Sequence, residues 1–222
     1  MKAIILAAGR GSRLQPITDK IPKPLVRIGG ETLVERHLKA LATASVTEVV
    51  INLSYLGRQI EEFVGDGTKF GIDVHYSREG NKPLETLGGI LKALPLLQPT
   101  NDFVVINSDI WTDYCFKNLK APTLKGHVVL TQKPSDVSHG DFDLTSGIVT
   151  QSRINPFIFT GISTYNTSAF SELVVEQKKL GPLLRKWAIS KNLTGEIHAG
   201  LWFDIGTKAR LKRAQLETQD YR

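Results

Sequence analysis

A lone cysteine, Cys115, excludes an internal disulfide and any cysteine-rich zinc site, so a reducing cytoplasm is the expected compartment. Long apolar runs are missing too. The run from Ala3 to Ala8 behind Met1-Lys2 mimics a secretion signal, but its six residues are too few for the apolar region of one, and Arg10 and Arg13 follow at once. Nothing approaches the ~20 apolar residues of a membrane helix. No linker rich in Pro, Gly or Ser, no charge run, no repeat and no low-complexity tract divides the 222 residues. One domain is therefore expected over 1–222. With 41% hydrophobic and 23% charged residues, the chain is neither disordered nor fibrous. The net charge of +6 favours anionic partners, yet the Lys and Arg are dispersed, without the basic and aromatic track that nucleic acid needs. Neither nucleic acid nor a membrane is expected as a partner, and a monomer or small homo-oligomer is expected.

What is present starts at the first strand and the loop leaving it, Leu6-Ala7-Ala8-Gly9-Arg10-Gly11-Ser12-Arg13. Small residues and two glycines let backbone amides approach a ligand, because no Cβ stands in the way. The loop is neither a dinucleotide fingerprint, since Leu14 occupies the third glycine position, nor a Walker loop, since no Gly-Lys-Ser/Thr follows. For the glycines alone, a tight strand-to-helix turn is an equally good reading. Arg13 and Lys23 favour phosphate. A forked Arg suits the β and γ phosphates of a nucleoside triphosphate, and a compact Lys suits the α phosphate. Lys23 lies between Pro22 and Pro24, which predicts an extended backbone that aims it.

Hydrophobic periodicity predicts helices over 32–44, 56–64, 85–97, 168–175 and 180–189, and a last one opening at Gly206-Thr207. Strands are predicted over 46–53, 72–76, 103–107, 128–131 and 201–204, with small antiparallel strands from 134 to 159 laid over the sheet. The βαβαβ order predicts an α/β fold whose ligands sit beyond the carboxyl ends of the strands. Asp109 and Asp204 each follow an apolar strand there. Either could be a helix N-cap, although Thr207 is the better-placed cap for the last helix. Together they suit Mg²⁺, which takes one or two carboxylates and fills its shell with water and phosphate oxygens.

The pattern L-A-A-G-x-G-x-R-L-x-P at Leu6 to Pro16, P-K-P at Pro22 to Pro24, Asp109 at a strand end and W-x-D-x-G-T at Trp202 to Thr207 resemble the sugar-1-phosphate nucleotidyltransferases. The resemblance runs over essentially the whole chain. Within that family, Pro83-Leu84-Glu85-Thr86, Asn107-Ser108-Asp109, Gly140-Asp141-Phe142, Phe159 to Ser163 and Leu183-Leu184-Arg185 look most like the N-acetylmuramate-1-phosphate uridylyltransferases of peptidoglycan recycling. The resemblance implies a three-layer, Rossmann-like fold with a mostly parallel mixed sheet and a small antiparallel sugar-binding portion. The nucleotide half would end near residue 110, and the sugar half would fill 111–222. It implies UTP and a sugar 1-phosphate as substrates and Mg²⁺ as cofactor. Arg13, Lys23 and Asp109 would be catalytic, and Asp109 with Asp204 would hold the metal. Leu6, Ala7, Ala8, Gly9, Gly11, Arg13, Lys23, Glu79, Thr86 and Gly88 would bind nucleotide; Glu85, Asn107, Gly140, Asp141 and Gly161 would lie near the sugar. Ser108 and Leu87 replace smaller residues of the pattern, and the base-reading loop from Glu79 to Lys82 is longer than the pattern by one residue, which leaves GDP-mannose or dTDP-glucose synthesis as alternatives.

Outside these motifs, His37 is expected on the polar side of its helix and His139 in a turn. Trp111 and Trp202 are expected to pack beside the metal ligands. The basic last helix, with Lys208, Arg210, Lys212 and Arg213, is expected as a solvated face. Arg153, Lys178 and Arg185 are candidates for pairing with a lactyl carboxylate. A glycosyltransferase and a non-catalytic nucleotide-sugar sensor are the rivals; the first has no use for Arg13 and Lys23, and the second none for the full set with Asp109 and Asp204.

Overall fold

The computed structural model describes residues 1–80, 84–135, 137–171, 173 and 179–219. The chain opens with β1 (Lys2–Leu6), and a two-stranded ladder of β2 (Arg27–Ile28) and β3 (Glu31–Thr32) leads into α1 (Leu33–Thr43). Thr32 and Glu35 form a reciprocal cap at the start of α1. Then come β4 (Glu48–Leu53), α2 (Gly57–Val64), β5 (Asp73–Arg78), α3 (Glu85–Ala93), β6 (Asp102–Asn107), β7 (Ile110–Thr112) and β8 (Gly126–Gln132). β9 (Asp143–Thr145), β10 (Ile148–Thr150), β11 (Phe157–Asn166), α4 (Ser168–Ser171), α5 (Leu180–Ile189), β12 (Leu193–Ile197), β13 (Trp202–Asp204) and α6 (Lys208–Glu217) complete the order.

Nine strands form one sheet in the order β5-β4-β1-β6-β11-β8-β12-β10-β9. β1 runs parallel to β4 and β6, with Ile4 beside Val50 on one side and Val105 on the other. Successive residues of β1 point to opposite faces: Ala3 and Ile5 pack with α1 and α2, while Ile4 packs with α3 and α5. Strands covered on both faces read as unbroken apolar runs, which is why the βαβαβ order was legible.

The second half departs from expectation in several ways. The short strands β9 and β10 extend the edge of the main sheet through β12 and do not lie over it. β11, ten residues long and antiparallel to β6 and β8, was not predicted as a strand. Its buried Thr160, Ser163 and Thr164 break the apolar pattern, and Thr160 Oγ1 donates to the Val129 carbonyl at 2.7 Å. The helix expected over 85–97 changes to a 3-10 turn at Leu94–Leu97, because Pro95 lacks the N–H an α-helix requires. The helix expected over 168–175 is described only as Ser168–Ser171, and most of the remainder lies outside the described residues.

His37 corrects another expectation. It belongs to the buried face of α1 with Leu33, Val34, Leu38 and Leu41, and is 1% exposed. Burial, aided by the neighbouring Arg36 charge, lowers its pKa from 6.5 to about 4. The fold thus keeps this imidazole neutral while the unfolded chain takes a proton as pH falls below 6.5. Its contribution is fully present above about pH 6.5 and is lost as pH falls towards 4, by up to about 3 kcal/mol. Urea unfolding of wild type and His37→Gln across pH 4–7 checks this; the variant is expected to lose that part of the pH dependence, and parallel curves would contradict it.

Among the described residues, no helix is long and apolar enough to cross a membrane.

Candidate active site

The loop after β1 folds through two 3-10 turns, Ser12–Leu14 and Ile17–Asp19, before a third at Lys23–Leu25. Gly11 sits at φ +66°, and a Cβ there would lie 3.0 Å from Thr18 Cγ2, so only glycine lets the loop close on that turn. Thr18 Oγ1 donates to the Gly11 carbonyl at 2.8 Å and ties the two together. Lys23 opens its 3-10 turn instead of running extended; Pro24 is accommodated because early turn positions leave their N–H unpaired anyway. The result still aims the side chain. Lys23 is 8% exposed, and its Nζ donates to Asp109 Oδ2 at 2.7 Å.

Leu6, Ala8, Gly9, Gly11, Lys23, Glu79, Glu85, Thr86, Asn107 and Asp109, all expected from sequence, line one cleft of about 290 Å³ with Pro24, Asn52 and Ser108. Ala7 lies behind it, 1% exposed, and Gly88 is half-buried on α3. Glu85 takes a left-handed φ of 61°, a costly conformation for a side-chain-bearing residue, at the cleft rim.

A larger pocket of about 710 Å³ is lined by Thr131, His139, Asp141, Phe159, Trp202, Asp204, Arg210 and Arg213, among others. Asp141 Oδ2 accepts from the Phe159 N–H at 3.0 Å. Gly140 lies under it, against the carbonyls of Asn155 and Phe157. Gly161, at φ +84°, stands where the pairing of β11 with β8 shifts; a Cβ there would come within 2.8 Å of the Asn107 side chain. Trp202 Nε1 donates to the Thr160 carbonyl at 2.9 Å and forms part of the pocket wall, whereas Trp111, 2% exposed, packs against Phe203.

Asp204 arrives from β13, which pairs with β7 in a separate ladder and not with the main sheet, correcting the expectation of a shared sheet edge. In that ladder Asp204 pairs with Ile110, and the Ile205 N–H donates to the Asp109 carbonyl at 2.9 Å, which brings the two acids together. Burial and the Asp109 charge push the Asp204 carboxyl above its ordinary range, against the pull of Lys23, Arg210 and Arg13. A divalent cation beside Asp204 would offset that cost of ionisation. Among the described residues no group of three or more His, Cys, Asp or Glu side chains gathers that could hold a metal ion. Thr207 Oγ1 accepts from the Arg210 N–H, so α6 is capped without Asp204. Arg13 reaches the same place: its guanidinium lies 3.1 Å from where a Cβ on Gly206 would stand.

Two residues escaped the sequence reading. Asn52 is the penultimate residue of β4; its Oδ1 accepts from the Ala7 N–H at 2.5 Å and its Nδ2 donates to Glu79 Oε1 at 2.6 Å. Glu79 Oε2 in turn accepts from the Leu84 N–H at 2.7 Å. This chain of bonds ties the loop after β1 to the loop beyond β5, and a polar residue near the end of a Val/Ile strand was its only signal. Arg210, expected on a solvated face, is half-buried and its guanidinium donates to Asp204 Oδ2 at 2.7 Å. Of the candidates for a lactyl carboxylate, Arg153 is exposed, Arg185 stands 3.9 Å from Asp141, and Lys178 lies outside the described residues.

Residues 2–140 match the family model described as nucleotidyl transferase. The chain is 40% identical over 227 aligned residues to the N-acetylmuramate alpha-1-phosphate uridylyltransferase of Neisseria meningitidis, covering 97% of each. It is 31% identical to the mannose-1-phosphate guanyltransferase of Neurospora crassa, spanning 61% of that protein's length. Among solved structures, a Bacillus anthracis protein described as a glucose-1-phosphate thymidylyltransferase superposes with a TM-score of 0.82 at 25% identity, over 99% of this chain and 96% of that one. By fold, by the family model and by full-length similarity, the chain belongs to the nucleotidyl transferase family and is a sugar-1-phosphate nucleotidyltransferase.

Proposed function

We propose that the protein transfers UMP from UTP to N-acetylmuramic acid 1-phosphate, giving UDP-N-acetylmuramic acid and pyrophosphate, in cytoplasmic recycling of cell-wall sugars. The carrying observation is the meeting of Lys23 and Asp109 with Asp204, from the far end of the chain, between a cleft that ends in Gly9 and Gly11 and a second, larger pocket. The full-length similarity to the Neisseria protein supports this choice of base and sugar over the mannose relatives, which match at lower identity.

In this reading the cleft takes the nucleotide and the larger pocket takes the sugar. An oxygen of the sugar 1-phosphate attacks the α phosphorus of UTP, the bond to the β phosphate breaks, and pyrophosphate leaves in line. No general base is needed, because the second pKa of a phosphate monoester is about 6 and the nucleophile is already an anion. Catalysis is then positioning and charge neutralisation. Lys23 stabilises charge gained at the α phosphate. Arg13, with the amides of Gly9 and Gly11, stabilises the departing pyrophosphate. Asp109 and Asp204 would hold Mg²⁺, which when bound offsets the repulsion between the two phosphates.

A matrix of UTP, GTP and dTTP against N-acetylmuramic acid, N-acetylglucosamine, mannose and glucose 1-phosphates, read by pyrophosphate release, tests the reading. Highest kcat/KM is expected for UTP with the muramic acid phosphate. Preference for GTP with mannose 1-phosphate or dTTP with glucose 1-phosphate would replace it, and ligand binding without pyrophosphate release would indicate a sensor.

A further inference from the structure

We propose that Arg210 competes with the divalent cation for Asp204 Oδ2, and that the guanidinium so displaced binds the anionic acceptor in the adjoining pocket. The proposal rests on the functional reading above for the identity of the acceptor, though not for the competition itself.

The guanidinium of Arg210 donates to Asp204 Oδ2 at 2.7 Å, the geometry of a charge-assisted bond. That oxygen belongs to one of the two carboxylates available for the metal, so a cation on Asp204 would stand close to the Arg210 guanidinium, and the two like charges compete for the same carboxylate. A hard divalent ion prefers carboxylate oxygen and carries twice the charge. Asp204 and Arg210 both line the pocket of about 710 Å³, so a guanidinium turned from Oδ2 stays beside it. Its side chain is about a third exposed. Arg210 occupies the third position of α6, and its backbone N–H stays on the Thr207 cap whatever the side chain does. Arg213 lines the same wall one turn on, with its Nε donating to Glu217. The acceptor is a phosphate monoester that carries, in the proposed substrate, a second anionic group. A planar guanidinium matches either oxyanion through two parallel bonds. Neither Arg153 nor Arg185 lines this pocket.

Two effects of opposite benefit follow from one substitution. Arg210→Gln is expected to bind Mn²⁺ about three- to tenfold tighter, measured by calorimetry without substrates, because the competitor and a like charge are both gone. The same variant is expected to raise KM for the sugar 1-phosphate about tenfold or more, with KM for UTP within about twofold of wild type, in line with losing a charge-assisted bond to one ligand only. Arg210→Lys should fall between. Lys212→Gln, on the exposed side of α6, should match wild type in both assays. If Arg210 merely held Asp204 in place, Mn²⁺ would bind more weakly in the glutamine variant; weaker or unchanged Mn²⁺ affinity, or an unchanged acceptor KM, overturns the proposal. A larger KM rise with N-acetylmuramic than with N-acetylglucosamine 1-phosphate assigns Arg210 to the carboxylate, and an equal rise assigns it to the phosphate. The Mn²⁺ measurement needs no acceptor, so a wild type that prefers another sugar would overturn the functional reading alone, and the KM arm would then use that sugar.

Discussion

Lys23→Ala is expected to lower turnover at saturating substrates by ~10²-fold or more, the loss that follows removal of one preorganised electrostatic contact from a reacting centre. Three observations set this expectation. The ammonium sits in a cleft where it is 8% exposed, so its charge is weakly screened. It is directed by a turn framed by Pro22 and Pro24, so little reorganisation accompanies the reaction. Its partner, Asp109, is itself a proposed metal ligand, so truncation also leaves a carboxylate without its counter-charge. The loss should fall on kcat more than on KM for UTP, because charge on the α phosphate grows as the new bond forms. Lys23→Arg is not expected to restore the rate, since a broad fork replaces a compact charge. Steady-state pyrophosphate release decides the matter; a wild-type kcat in Lys23→Ala would remove Lys23 from the reaction centre.

Asp109→Asn is expected to cost about 10²- to 10³-fold in kcat and to raise the Mg²⁺ concentration needed for half-maximal rate. The substitution is isosteric, so the chain should still fold, and the Ile205 N–H bond to the residue 109 carbonyl is untouched. Lost are one of the two carboxylates that would hold the metal and the anion that fixes Lys23. A further sign of the shared site is available. The Asp109 charge is one cause of the raised Asp204 pKa, so a neutral side chain at 109 should let Asp204 titrate lower. Metal titrations with the rate as readout test the first claim, and carboxyl NMR of Asp204 the second. Unchanged midpoints in both would separate Asp109 from the metal site.

How much of this was legible varied with the kind of signal. The strands β1, β4 and β6 could be read because burial on both faces demands continuous apolar residues. β11 could not, since its Thr160, Ser163 and Thr164 are buried, with Thr160 and Thr164 each donating to a backbone carbonyl, and so break the pattern that reading relies on. His37 was misread for a related reason. A helical pattern locates the centre of the apolar stripe, but the width of the face that the sheet covers is set by packing, and α1 is covered as far as His37.

The sequence by itself determined the parts list: a glycine loop after an apolar strand, a lysine between prolines, and two acids at strand ends. Those choices are local, because backbone freedom at Gly11 and the strand-to-loop boundary at Asp109 are written in neighbouring residues. Only the tertiary structure decided who faces whom. Lys23 meets Asp109 across 86 positions, Asn52 meets Glu79 across 27, and Arg210 turns from an apparently solvated helix face to Asp204. Such pairings depend on which strands become neighbours and how each element rotates, and those are fixed by the packing of the whole core.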